Sequence, residues 1–155
     1  MRPSKKKKIL IIKFGGLGDF ILSLPAISSI KKHHLNDDIL LLTEEPYLEI
    51  ANKSNFFKEI MLIKRSYFYF IDKIYIKNKL QNKKIDKVYD LQTSRRSSSY
   101  FSVFKTSKTD WSGIAKGSSF EHVNPLRNEM HTIERQKEQL AQAGLKSSQL
   151  TNNSW

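Results

Sequence analysis

The chain has 155 residues, 39% of them apolar and 27% charged, which suits a single domain with a packed core and argues against wholesale disorder. It contains no cysteine, and this excludes disulfide scaffolds, thiolate zinc sites and a cysteine nucleophile. No apolar run approaches the roughly 20 residues of a transmembrane helix, and the apolar stretch at 9–12 is too short for a signal peptide. A cytoplasmic protein is therefore expected.

The net charge of +12 is unevenly distributed along the chain. Residues 1–8 carry +5, residues 9–57 carry −2, and residues 58–96 carry +7. A basic middle segment is typical of a surface that faces the phosphates of a nucleic acid, a lipid headgroup or a nucleotide sugar. The plainer alternative, a solvated lysine-rich surface, accounts for most of the individual lysines.

Predicted strands and helices alternate along the chain. The first strand, 8–13, reads KILIIK, a β-branched apolar run typical of a strand buried on both faces. A glycine-rich loop at 14–18 follows, and then a helical pattern over 20–34 that Pro25 interrupts. Further strands are predicted over 39–42, 59–63, 86–91 and 109–115, helices over 47–52, 67–80, 97–105 and 130–143, and a loop over 116–128.

This alternation predicts an α/β fold, a Rossmann-like parallel sheet with flanking helices and right-handed crossovers. Ligands of such sheets bind beyond the carboxyl ends of the strands. The candidate binding loops are therefore 14–19, 43–46 and 92–96.

The first of these loops carries three glycines, Gly15, Gly16 and Gly18, followed by Asp19. Glycines let a ligand approach the backbone, but no Walker motif follows, and Ile21 stands where a dinucleotide fingerprint has its third glycine. Asp19 has two interpretations. On the residues alone the favoured one is a helix N-cap, and the other is a carboxylate at the mouth of the sheet that can take a proton from a substrate hydroxyl.

The loop after the fourth strand contains Ser94, Arg95 and Arg96. Two arginines with hydroxyl neighbours at a strand end are typical of a phosphate site. The alternative is a solvated loop in which Ser97 caps the next helix. Lys13, at the end of the first strand, is a further candidate for the same kind of contact.

The segment 64–77 mixes aromatic residues with Lys64, Arg65, Lys73 and Lys77. We interpret it first as a core helix with lysines that reach solvent. A face that rests on an anionic membrane comes second, and a nucleic-acid stacking surface is the third alternative.

The four histidines do not indicate a metal site. His33 and His34 are adjacent and lack the i, i+4 spacing of a zinc pair. His122 and His131 have no carboxylate or histidine at ligand spacing, so no metal ligand is predicted.

A family resemblance is carried by the segment 8–30, with Gly18-Asp19 before a helix that contains Leu24-Pro25-Ala26. It resembles the opening of the family-nine glycosyltransferases, the ADP-heptose:lipopolysaccharide heptosyltransferases. Later segments are also similar to those of the family: Asp90-Leu91-Gln92 with Ser94-Arg95, Trp111-Ser112-Gly113, and 130–136.

The resemblance implies the N-terminal, acceptor-side domain of a GT-B glycosyltransferase that inverts the anomeric centre without a metal. Asp19 would be the general base, and the loop of Gly15, Gly16 and Gly18 would leave room for the substrates. Lys13, Gln92, Ser94, Arg95 and Arg96 would contact substrate.

The resemblance also implies a donor, ADP-heptose or another nucleotide sugar, and a glycolipid or lipopolysaccharide-core acceptor, with no resident cofactor and no nucleic-acid partner. Peripheral contact with the inner face of an anionic membrane is expected. The organisation is then a basic extension (1–8), the acceptor-side domain (9–145) and the start of an interdomain linker (146–155). The C-terminal donor half, or a separate chain that replaces it, would be needed for full activity.

An alternative from a different class is a non-enzymatic basic α/β module that binds RNA or anionic lipid. A steep salt dependence of binding, without contact to a sugar nucleotide, would distinguish it.

Overall fold

The computed structural model describes residues 6–64, 66–80, 82–105, 107–146 and 148–150. Most of the predicted basic extension (1–8) and of the predicted linker (146–155) lies outside these residues. Six strands form one sheet: β1 (Lys8–Ile12), β2 (Asp38–Thr43), β3 (Glu59–Leu62), β4 (Lys87–Asp90), β5 (Asp110–Gly113) and β6 (Phe120–Glu121).

All strand pairs are parallel, and the strand order is β3-β2-β1-β4-β5-β6. This is the order of a Rossmann-like sheet, so the predicted α/β fold class is confirmed. In the register, Leu10 of β1 lies opposite Leu40 of β2 on one side and Val88 of β4 on the other. The sheet reverses its winding between β1 and β4, which is where such folds open a crevice.

Helices cover both faces of the sheet: α1 (Leu17–Leu22), α2 (Leu24–His33), α3 (Leu48–Ser54), α4 (Tyr69–Lys79), α5 (Arg95–Ser99), α6 (Phe101–Phe104) and α7 (Thr132–Gln142). Alternate residues of β1 enter different cores: Leu10 and Ile12 pack in one, Ile9 and Ile11 in the other. From Ile9 to Ile12 the strand is apolar and buried because both of its faces are covered. None of the helices in the described ranges has the length and apolarity needed to span a bilayer.

Pro25 divides the first predicted helix in two. It stands in the first turn of α2, where its missing N–H and fixed φ are tolerated. The chain therefore ends α1 at Leu22 and begins α2 at Leu24, and the predicted interruption is confirmed.

Two local predictions were wrong. The predicted loop 116–128 contains β6, whose Phe120 lies opposite Ser112 of β5, and its end enters a 3₁₀ turn at Arg127–Glu129. A two-residue strand is too short to show alternation, so its sequence gave no signal. The helix predicted from Ser97 begins at Arg95, because Ser94 rather than Ser97 is its N-cap.

Candidate functional site

The loops after β1 and β4 leave the sheet at its switch point and are tied together there. The backbone N–H of Phe14 donates to Gln92 Oε1 over 3.0 Å. Gln92, a predicted substrate contact, thus has its carbonyl oxygen engaged in joining the two loops. The N–H groups of Leu91 and Gln92 both donate to the carbonyl of Ile12, which continues the pairing past the strand ends.

Asp19 lies in the first turn of α1 and its side chain is exposed. The N-cap position is Gly16, with φ at +75°, and among the described residues no N–H or O–H donates to the Asp19 carboxylate. The N-cap interpretation of Asp19 was therefore wrong. The helix starts three residues earlier, at Leu17, because a glycine at positive φ can make the turn.

The glycine turn leaves space beside this carboxylate. A Cβ at Gly16 would lie 3.2 Å from Asp19 Oδ2, whereas a Cβ at Gly18 would meet no atom within 4 Å. The backbone at Gly16 thus lies close to the Asp19 carboxylate, and Gly18 borders open space. A ligand could therefore approach the carboxylate from the side of Gly18.

The third predicted loop, after β2, joins the same edge. The N–H of Gly15 donates to Glu44 Oε1 over 3.3 Å. Glu44 also borders an open crevice of about 890 Å³ between β3 and α4, which Arg96 lines as well. The structure therefore brings the three predicted loops to one continuous surface.

Lys13 and Asp90 form the buried polar floor of this edge. Burial lowers the pKa of the Lys13 ammonium, opposed by the negative charges of Asp19 and Asp90. Burial raises the pKa of the Asp90 carboxyl to about 6, against hydrogen bonds from Thr93 N–H, the Ser97 hydroxyl and Gln92 N–H. Lys13 is 5% exposed and thus contributes its charge from within the floor.

Thr93 takes a left-handed backbone conformation, with φ at +46°, in the turn that follows β4. Asp90 Oδ1 accepts hydrogen bonds from the N–H groups of Thr93 (3.0 Å) and Gln92 (3.1 Å) and so holds this turn. A left-handed threonine is unfavourable on its own, and such residues concentrate at ligand sites.

The pKa of Asp90 predicts a pH-dependent stability. The folded carboxyl binds its proton more tightly than the unfolded one, so the free energy of unfolding falls as pH rises from about 4 to about 6, by up to about 3 kcal/mol. Urea denaturation across this range should show the fall in the wild type and not in Asp90→Asn. His34, whose pKa burial lowers, titrates in both proteins, so their difference isolates Asp90.

The surface variant Asp110→Asn is the control and should keep the wild-type pH profile. An Asp90→Asn profile that is parallel to the wild type throughout would contradict the assignment.

The predicted substrate contacts in the arginine loop, residues 92–96 after β4, differ in how free their side chains are. Ser94 Oγ accepts the Ser97 N–H over 3.0 Å and caps α5, while the Ser97 hydroxyl donates to Asp90 Oδ2 over 2.9 Å. Arg96 is paired with the buried Asp72 and stacks on the Tyr69 ring at 4.6 Å. Arg95 is exposed. Arg95 is thus the more available of the two guanidinium groups for a ligand.

A second basic group near this floor was missed by the sequence reasoning. Arg127 is nine-tenths buried; burial and the charge of Arg135 lower its pKa to about 10. Its guanidinium contacts His122 Nδ1, and His122 Nε2 lies 2.8 Å from Glu138 Oε1. His122 therefore has a carboxylate partner that linear spacing did not reveal. Arg127 Nη2 and Arg135 Nε are buried without a partner among the described residues.

Helix α7, which carries Arg135 and Glu138, is fixed against the ends of β4 and β5 by buried glutamines. Gln139 Nε2 donates to the Asp90 carbonyl over 3.1 Å and to Ser112 Oγ over 3.2 Å, and Gln136 Nε2 donates to Ser23 Oγ over 3.0 Å. Both glutamines are buried. Arg135 had one signal in the sequence, its place in the family-like segment 130–136, whereas Arg127 had none. In the described part of the chain, no three His, Asp or Glu side chains converge on a common point.

Solved structures resemble this chain over nearly its whole length. The glycosyl transferase family 9 protein of Veillonella parvula superposes with a TM-score of 0.75 at 17% identity, covering 94% of this chain and 44% of its own. This chain has the fold of family-nine glycosyltransferases. E. coli heptosyltransferase WaaC, solved with ADP-2-deoxy-2-fluoro heptose, gives 0.69 at 17% identity, with 96% and 50% covered. E. coli ADP-heptose lps heptosyltransferase II gives 0.70 at 14%, with 95% and 44% covered.

The chain spans about half the length of these solved structures. The resemblance expected from the Gly18-Asp19 and Leu24-Pro25-Ala26 segments is thus confirmed at the level of the fold. No protein-family model and no curated protein matches the sequence.

Proposed function

We propose that this chain is the acceptor-side domain of an inverting, metal-independent glycosyltransferase of the heptosyltransferase type. The observation that carries the proposal is the exposed Asp19 carboxylate, free of any capping hydrogen bond, in the first helical turn after β1 of a family-nine fold. A carboxylate that caps no helix and faces open space beside Gly18 is available for proton transfer.

In the proposed reaction, Asp19 accepts the proton of an acceptor hydroxyl. The hydroxyl oxygen forms a bond to the anomeric carbon of the donor sugar, and the bond from that carbon to the diphosphate breaks. The nucleoside diphosphate leaves with the electron pair of that bond. One displacement at the anomeric carbon inverts its configuration, and no metal ion is required to activate the nucleophile.

The crevice between β3 and α4 is the proposed acceptor site. Its volume of about 890 Å³ suits an oligosaccharide, and Glu44, which lines it, accepts a hydrogen bond from Gly15 in the glycine turn before Asp19. Arg95, with the buried charge of Lys13, favours an acceptor with anionic groups, as a lipopolysaccharide core would have.

The proposed donor is a nucleotide sugar, ADP-heptose or a relative, because WaaC of E. coli was solved with an ADP-heptose analogue. Those neighbours are about twice as long as the region matched here. We therefore propose that a second domain, in the same polypeptide or in another, supplies the remaining donor contacts. The chain alone is expected to bind acceptor better than donor.

Nuclear magnetic resonance tests this proposal on the chain by itself. A deacylated lipopolysaccharide inner-core oligosaccharide is titrated into ¹⁵N-labelled protein, and ADP is titrated into a second sample. The oligosaccharide should shift the amide signals of 15–19, 44–46, 62–64 and 93–96, and ADP should shift them less. Oligosaccharide shifts confined to other surfaces, or none at millimolar concentration, would contradict the acceptor site.

A further inference from the structure

The outer face of α4 and the residues just before it form an exposed apolar surface, here called the aromatic ridge. It consists of Tyr67, Phe68, Phe70, Ile71 and Ile74, whose side chains are between 44% and 89% exposed. The rings contact one another, with Tyr67 and Phe68 5.0 Å apart and Phe68 and Phe70 5.6 Å apart. The interpretation of this segment as a core helix thus holds only for its inner face, where Ile76 is buried.

Positive charge surrounds the ridge. Lys64, Lys77 and Lys79 are exposed and Lys73 is half-buried. The only acidic residue of α4 is Asp72, which is buried and already paired with Arg96. The outer face of the helix therefore presents apolar side chains and cations without an exposed carboxylate.

We propose that the aromatic ridge docks on an anionic phospholipid bilayer. The rings and isoleucines would enter the boundary between headgroups and acyl chains, and the lysines would lie against the headgroup phosphates. Each lysine near such a surface strengthens the binding about fivefold. Charge complementarity favours this occupant over an uncharged partner surface.

The composition of the ridge argues against a nucleic acid as the occupant. Bases stack on isolated, accessible aromatic planes. Here two of the three rings are packed edge to face, and the ridge continues into Ile71 and Ile74, which offer no plane for stacking. An aliphatic and aromatic surface flanked by lysines is what an interfacial helix presents.

The ridge continues into the crevice. Tyr67 and Ile71 belong to the ridge and also line the crevice that holds Glu44 and Arg96. Docking would therefore place the crevice mouth at the lipid surface. This part rests on the proposed function: a lipid-anchored acceptor would reach Asp19 without leaving the bilayer.

Vesicle flotation tests the docking with the chain as it is. The wild type should float with vesicles of phosphatidylcholine containing about one third phosphatidylglycerol, and much less with phosphatidylcholine alone. The variant Phe68→Ser/Phe70→Ser/Ile74→Ser should lose at least about tenfold in vesicle affinity. The control Leu35→Ser/Val123→Ser/Leu126→Ser removes three apolar side chains elsewhere that are at least as exposed, and it should bind as the wild type does.

Two further measurements separate the alternatives. Lys73→Gln/Lys77→Gln should weaken binding to the anionic vesicles and leave the weak binding to phosphatidylcholine unchanged. Ridge and control variants that bind vesicles equally well would overturn the proposal, and so would a ridge variant that loses dimer formation or RNA binding but keeps vesicle binding. Flotation without any oligosaccharide-induced amide shift would refute the proposed acceptor site and leave the docking supported.

Discussion

Replacement of Asp19 by asparagine is expected to lower the rate of sugar transfer at least about 100-fold, the usual contribution of a positioned general base. Asparagine has nearly the same shape but cannot accept the hydroxyl proton. The measurement is turnover of labelled nucleotide sugar onto the core acceptor, with the donor domain supplied in the same polypeptide or as a separate chain.

This loss should come without a loss of structure. Asp19 is exposed and caps no helix, so the free energy of unfolding and the acceptor-induced amide shifts should remain those of the wild type. Glu49→Gln is the matched control, because Glu49 is an exposed carboxylate on α3 that does not line the crevice. An Asp19→Asn protein that keeps its turnover, or a Glu49→Gln protein that loses it equally, would remove Asp19 from the role of base.

Replacement of Asp72 by alanine is expected to lower the free energy of unfolding by about 3 kcal/mol, near the lower end of the range for breaking a buried ion pair. Asp72 is 1% exposed and pairs with Arg96. It also accepts hydrogen bonds from the Tyr100 hydroxyl over 2.5 Å and the Ser66 N–H over 2.9 Å. Alanine would leave these donors partly buried without an acceptor. Urea denaturation measures the change.

The triple variant Asp72→Ala/Arg96→Met/Tyr100→Phe should recover part of this loss, because it removes the stranded donors along with their acceptor. Asp110→Ala, at an exposed carboxylate, should change stability by less than about 0.5 kcal/mol. If the free energy of unfolding of Asp72→Ala lay within about 1 kcal/mol of the wild-type value, the Asp72–Arg96 pair would be hydrated and would contribute little to stability.

The Asp72 group also connects the two proposed surfaces. Its hydrogen bonds join α4, which carries the aromatic ridge, to Arg96 in α5 and to Tyr100 at the end of that helix. Its loss should therefore loosen both, and the vesicle binding of Asp72→Ala should fall together with its stability.

Much of the fold followed from the sequence because its signals are local. Short apolar runs such as KILIIK and EIMLI mark strands, the first of them buried on both faces, and the positions of Pro25 and Gly144 mark where helices begin and end. The alternation of these elements sufficed to predict the parallel sheet and the three loops at its carboxyl edge. The two-residue β6 was too short to give such a signal.

The sequence by itself determined that a glycine turn, a carboxylate and two arginines stand at the carboxyl edge of a parallel sheet. Only the tertiary structure decided their contacts: Asp19 is exposed, and Arg96 is paired with Asp72. It also buried Arg127 against His122, although no sequence pattern had indicated Arg127. The physical reason is that β-branched periodicity and turn residues act through neighbours in the chain. The partners of a charged side chain are set by which distant elements the packed core brings together.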